Sequence, residues 1–341
     1  MSLRALTLAI LAAALVGCSG NSTPEAKADP PKTGEKKKIT VAMLPKKKGV
    51  PYFTSCSEGA MEAATELGNV ELIYDGPTSG EAADAVKLVD QWIAQGVDVI
   101  AVSPNDPAVL GPAMKKAREA GIKVITWDAD AAPDTREFLV NQATAQDIGF
   151  ALVDTMAKDL GGDSAKGEVA IVTASLTAAN QNEWIKFMKE RLAKYPGLTL
   201  VGVKPSNEDQ KLAFSTTQDL MKVYPNLKGV FAISSVAFPG AAEAIKASGN
   251  TGKVLVTGLG TPDGMRDFVK EGVVNSVILW NTKDLGYLTV YAARALVDGD
   301  LKAGSTTLKA GRLGDREVKG DNVMLGATLT FTKENIDQYH F

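Results

Sequence analysis

The chain has 341 residues, 45% of them hydrophobic and 23% charged, with a formal net charge of -3. That length and apolar content suit two ordinary domains, and basic runs only at Lys36 to Lys38 and Lys46 to Lys48 argue against nucleic acid as a partner. The single histidine, His340, stands next to the C-terminus, which speaks against histidine-based triads and histidine-rich metal sites, so no cofactor is expected.

In chain order, residues 1–17 read as an export signal: Arg4 precedes the apolar stretch Ala5 to Val16, which is too short to span a bilayer as a helix. The run Leu15-Val16-Gly17-Cys18 resembles a bacterial lipoprotein lipobox. That resemblance implies acylation of Cys18 and attachment to a membrane outside the cytoplasm by lipid alone. Cys56 is then left without an intramolecular disulfide partner and reads as a small buried packing residue. Residues 18–37, with Pro24, Pro30 and Pro31 and almost no large apolar side chains, read as a flexible tether.

After the tether, β-branched runs alternate with amphipathic segments. Strands are expected at Ile39 to Leu44, Val70 to Tyr74, Val99 to Ser103, Ile122 to Trp127 and Phe138 to Asn141, with helices near Tyr52 to Leu67, Glu81 to Gln95 and Pro107 to Ala120. A second series follows, with strands at Val169 to Thr173, Thr199 to Val203, Gly229 to Ile233, Val254 to Thr257 and Ser276 to Trp280. Its helices are expected at Asn182 to Lys194, Gln210 to Val223, Gly240 to Ala247 and Asp263 to Lys270. Gly96, Gly121, Gly197, Gly249 and Gly272 stand where helices should stop. Strand, helix, strand order with right-handed crossovers makes each unit an open parallel sheet with helices on both faces. The fold class is therefore α/β, two doubly wound parallel-sheet lobes with a cleft between them.

Ligands of such sheets bind beyond the carboxyl ends of the strands. Those ends deliver Lys46, Tyr52 and Phe53 after the first strand, and Trp127, Asp128 and Asp130 after the fourth. In the second unit they deliver Asn180, Gln181 and Trp184, then the run Ser234 to Pro239 with Ser235 and Phe238, and finally Trp280 and Asn281. Three of the four tryptophans fall at these ends, while Trp92 sits on a helix. A sugar would explain the pattern, because its C–H faces stack on aromatic rings and its hydroxyls need fixed polar partners such as Asp128, Asn180, Gln181 and Asn281. Bland alternatives stand beside each residue. A tryptophan beside a strand is a packing residue as often as a ligand contact, Asp128 has the alternative of capping the next segment, and Asp130 that of being merely solvated. Lys46 belongs to a charge run, ordinarily a solvated face. The run Gly258-Leu259-Gly260 through Gly264 has the wrong spacing for a dinucleotide fingerprint, and Asp128 with Asp130 makes a weak metal pair.

Taken together, Leu44-Pro45-Lys46, Val50-Pro51-Tyr52-Phe53, Tyr74-Asp75-Gly76-Pro77-Thr78, Thr126-Trp127-Asp128-Ala129-Asp130, Gln181-Asn182-Glu183-Trp184 and Leu279-Trp280-Asn281 resemble the type I periplasmic sugar-binding proteins of ABC importers. The branch with autoinducer-2 and rhamnose receptors is the most similar. In the autoinducer-2 branch the resemblance implies ligand contacts at Lys46, Asp128, the pair Asn180-Gln181, the run Pro239-Gly240-Ala241 and Asn281. Asn180 and Asn281 stand where that branch has carboxylates, so a neutral pentose or deoxyhexose becomes at least as good a candidate as autoinducer-2. The resemblance further implies a monomeric receptor that delivers its sugar to an ABC permease. Sensory output or an enzyme activity are the alternatives. Family analogy also divides the chain, with 38–142 plus 282–300 as lobe 1, 143–281 plus 301–341 as lobe 2, and crossings near residues 141–142, 280–282 and 299–303. Asp128→Ala is expected to weaken sugar binding by at least about tenfold while leaving the thermal transition of the sugar-free protein nearly unchanged.

Overall fold

A computed structural model describes residues 37–341. The export signal, Cys18 and nearly all of the expected tether lie outside the described residues. The first series runs β1 (Ile39–Leu44), α1 (Pro51–Leu67), β2 (Val70–Tyr74), α2 (Ala82–Gln95), β3 (Val99–Val102), α3 (Pro107–Glu119), β4 (Lys123–Trp127) and β5 (Phe138–Asn141). The second begins with α4 (Ala145–Asp159) and continues through β6 (Gly167–Thr173), α5 (Ala179–Leu192), β7 (Leu198–Pro205), α6 (Gln210–Val223) and β8 (Leu227–Ala232). It closes with α7 (Ala237–Ala247), β9 (Leu255–Leu259), α8 (Pro262–Lys270) and β10 (Val277–Leu279). After α9 (Thr282–Asp298) come four short strands, β11 (Thr307–Lys309), β12 (Asp315–Lys319), β13 (Asn322–Met324) and β14 (Leu329–Phe331).

These strands form two sheets, ordered β11-β12-β13-β5-β4-β3-β1-β2 and β14-β10-β9-β8-β6-β7. Within each, the consecutive βα units pair in parallel, β1 with both β2 and β3, and β6 with both β7 and β8. The chain therefore reverses direction across the sheet at β1 and at β6, the two points where a doubly wound sheet leaves a crevice for a ligand. The central strands are buried along their length because helices cover both faces. β3 is buried at every residue, and β1 at all but Thr40.

Helices α1 and α9 lie together over the first sheet at very close approach. A Cβ at Gly59 would run into the Lys283 carbonyl, and one at Gly286 into the Cys56 carbonyl. Cys56 is fully buried in this seam and unpaired, in keeping with a packing role.

Three expectations need correction. The segment 301–341 does not belong wholly to the second lobe: β13 pairs in parallel with β5, and β11 and β12 extend the first sheet behind it. Only β14 returns to the second sheet, antiparallel to β10, so the third crossing falls between Met324 and Leu329, not near residues 299–303. These strands are three to five residues long and polar on one face, too short to stand out as apolar runs. Gly197 does not adopt a left-handed conformation, unlike Gly96 and Gly121; it is there because a Cβ would meet the Ala165 carbonyl. Helices α4 and α9, unassigned from the sequence, supply layers against β9 and α5 and against α1.

Candidate functional site

A hollow open to solvent lies between the two sheets at their crevices, the place where small-molecule sites of such folds form. The first lobe contributes Lys46, Val50, Tyr52, Phe53 and Asp128, and the second Asn180, Gln181, Trp184, Glu208, Ile233, Ser234, Ser235, Leu259, Leu279 and Trp280.

Local structure explains how these side chains arrive. Helix α1 starts directly after the loop from β1, with Pro51 at its first position and no side-chain cap, so its first turn presents Tyr52 and Phe53. Helix α5 likewise starts without a side-chain cap, and its first turn carries Asn180 and Gln181. By contrast, Asp106, Thr144, Asp209, Thr261 and Asn281 all cap their helices by accepting from backbone N–H groups.

Asp128 is the organising residue. It follows β4 in a left-handed conformation, φ 62°, which costs a non-glycine residue on the order of 1 kcal/mol. Its carbonyl accepts from Gln142 Nε2 at 2.9 Å, and its backbone N–H donates to Val140. The carboxylate accepts from Tyr52 Oη at 2.7 Å and Ser103 Oγ at 2.7 Å, and pairs with Lys46 Nζ at 3.2 Å. Asp128 and Lys46 keep only 6% and 13% of their side-chain exposure, so this pair is largely desolvated. Burial, reinforced by the Asp128 charge, pushes the Tyr52 phenol well above its ordinary range, so Tyr52 stays a hydrogen-bond donor. The same two causes raise the Cys56 thiol.

Among the described residues, two side-chain hydrogen bonds bridge the lobes. Lys46 Nζ donates to Asn180 Oδ1 at 3.3 Å, and Trp280 Nε1 donates to Tyr52 Oη at 2.9 Å. Tyr52 and Trp184 each stand edge-on to Trp280, with centroids 6.1 and 6.2 Å away. On the second lobe Gln181 Oε1 accepts from Thr173 Oγ1 and from the Ala174 N–H, which leaves its NH2 as a donor with no hydrogen bond among the described residues. The Gln181 NH2, the Lys46–Asp128 pair, the Glu208 carboxylate and the indole rings suit a small polyhydroxylated ligand.

Of the sequence candidates, Lys46, Tyr52, Phe53, Asp128, Asn180, Gln181, Trp184, Ser235 and Trp280 line this hollow together. Others do not. Trp127 is fully buried behind it, edge-on to Phe53 at 5.8 Å. Asp130 is held by the Arg136 guanidinium and by Thr126 Oγ1, because Arg136 is a buried cation that needs both Asp130 and Asp321. Phe238 and Ala241 are fully buried in the core on α7, and Pro239 on the same helix is absent from the lining. Asn281 turns its amide oxygen to the Asp284 N–H as the cap of α9. Ser234, the first residue of the expected run Ser234 to Pro239, lines it too, and Val50, Glu208, Ile233, Leu259 and Leu279, not singled out as ligand contacts from the sequence, complete the lining. Glu208 follows β7, which runs to Pro205, two residues beyond the expected end at Val203; the strand-end rule applied there would have found it.

A family model described as a periplasmic binding protein domain matches residues 41–301. A solute-binding protein of an ABC transporter from Clostridium phytofermentas, solved with bound L-rhamnose, is 30% identical with a TM-score of 0.84, covering 89% of this chain and 99% of that one. LsrB from Clostridium saccharobutylicum, solved with AI-2, is 26% identical with a TM-score of 0.83, covering 89% of this chain and 100% of that one. The ribose import binding protein of Salmonella typhimurium is 24% identical over 265 residues, 77% of this chain and 86% of its own length. Proteins of this family bind solutes outside the cytoplasm and are not enzymes. With its paired sheets, interlobe hollow and these matches, the chain belongs to the type I periplasmic sugar-binding proteins, the solute-binding family of sugar ABC transporters.

Proposed function

We propose that this protein captures a neutral monosaccharide or small sugar alcohol, such as a pentose or deoxyhexose, between its lobes and delivers it to an ABC permease. The observation that carries the reading is the convergence of Lys46, Tyr52 and Asp128 from one lobe with Asn180, Gln181, Trp184 and Trp280 from the other on one hollow. A ligand there touches both lobes only when they are together, so its contacts favour the closed arrangement, and closure becomes the signal for delivery. Micromolar affinity corresponds to about -8.2 kcal/mol, which eight to ten hydrogen bonds of roughly 0.5–1.5 kcal/mol each supply after ordering costs. Export, acylation at Cys18 and a tether through residue 37 would hold the monomeric receptor beside its permease.

Asn180 and the turned-away Asn281 favour a neutral sugar over AI-2, since the branch resemblance puts carboxylates at both positions. A thermal-shift screen of the purified protein against L-rhamnose, D-ribose, D-arabinose, xylitol and AI-2 tests the reading, because any ligand of the native state raises the transition. At least one neutral polyol should raise it. A response to AI-2 alone would transfer the reading to signal reception, and silence from all five would defeat it.

A further inference from the structure

We propose that Glu208 is a specificity-determining residue of the cleft: its carboxylate accepts a hydrogen bond from a ligand hydroxyl beside Lys46 and bars sugars that carry a carboxylate of their own. This rests on the reading of the cleft as a sugar site. Glu208 lines the inner hollow and also an outer one bounded by Ser79, Gly80, Asn105 and Asp106, so it stands where the two meet. Its backbone is left-handed at φ 52°, directly after Asn207 at φ 51°, a conformation that costs a non-glycine residue energy and that aims this side chain inward.

The carboxylate is held but not used up. Oε2 accepts from Ser234 Oγ at 3.0 Å, while Oε1 makes no hydrogen bond to any described residue. The charged groups around it are Lys46 and Lys47 from the loop after β1 and Asp128 from the end of β4. Asp128 already pairs with Lys46 at 3.2 Å, so Glu208 leaves the lining with one negative charge in excess, the opposite of what an anionic sugar needs. Burial holds its carboxyl above the ordinary range, against the pull of Lys46. On acidification this group takes up a proton early, and the acceptor offered to a hydroxyl becomes a donor.

Calorimetry with L-rhamnose, D-ribose, D-arabinose and D-galacturonate on the wild type and Glu208→Gln, at about pH 7.5 and about pH 5, is the test. A neutral sugar that the wild type binds should lose roughly tenfold in affinity in Glu208→Gln at the higher pH. Its wild-type affinity should fall on acidification and the variant's should not. D-Galacturonate should bind the wild type more weakly than the neutral sugars by roughly tenfold or more, and the gap should narrow in the variant. Ser234→Ala, which removes the aiming hydroxyl and keeps the charge, should retain rejection of D-galacturonate even if Glu208→Gln proves unstable. Unchanged affinity and pH profile in Glu208→Gln, D-galacturonate bound by the wild type as tightly as a neutral sugar, or its admission by Ser234→Ala would overturn the inference while the sugar reading stands. Failure of every neutral sugar to bind the wild type would overturn the sugar reading and this inference with it.

Discussion

Replacing Asp128 by Asn should destabilise the sugar-free protein as well as weaken capture. The carboxylate receives two hydroxyl hydrogen bonds at 2.7 Å and an ammonium at 3.2 Å, all in a site where it retains 6% exposure. Asn keeps the shape but removes the charge and turns one acceptor into a donor, so Tyr52 or Ser103 loses its acceptor and Lys46 its counterion. A hydrogen bond to a charged group contributes about 1.5–3 kcal/mol, and breaking a buried ion pair costs about 3–5 kcal/mol. Lys46 keeps its Asn180 contact and some exposure, which lowers the second figure. A loss of about 2–4 kcal/mol follows, or a fall of about 4–16 °C in the transition of the first lobe at roughly 2–4 °C per kcal/mol. Scanning calorimetry of sugar-free Asp128→Asn reads this directly, with urea unfolding as the equilibrium check. A transition within about 1 °C of wild type would refute the reasoning that Asp128 organises the empty cleft. The expectation from sequence, a variant at this position with nearly unchanged stability, is revised on these contacts.

The neighbouring acid should behave in the opposite way on binding. Asp130→Asn loosens Arg136 and should lower stability by about 1–3 kcal/mol in urea, yet leave sugar affinity within about threefold of wild type; a larger loss would return Asp130 to the ligand. Gly286→Ala should cost about 1–3 kcal/mol or more by forcing α9 away from the Cys56 carbonyl, measured by urea midpoint, and a neutral effect would contradict the close helix approach. Cys56 should resist thiol reagents in the native protein and react once unfolded; ready labelling of the native state would show that the α1 and α9 seam opens. Because burial raises the folded pKa of Cys56 and Tyr52 above their unfolded values, their stabilisation is complete below about pH 8.5 and declines as pH rises beyond it. Urea midpoints between about pH 7 and pH 10 should fall, less steeply in Cys56→Ala; an identical slope would remove Cys56 as a cause.

The sequence by itself determined the repeating βα order, because buried parallel strands must be apolar along their length and helices must alternate faces, and both periodicities survive in the residues. It also determined where to look, since a doubly wound sheet opens its crevice at the carboxyl ends of its strands; Lys46, Asp128, Gln181 and Trp280 were legible on that ground. What only the tertiary structure decided was which polar side chains are already spoken for. Asp130 is consumed by a buried arginine that also needs Asp321, 185 residues from Arg136 in the chain, and Asn281 by a helix end, two claims that no local pattern discloses. The return of β13 to the first sheet was equally hidden, because a three-residue strand gains its stability from the neighbour it pairs with, and its own sequence carries too few apolar positions to announce the pairing.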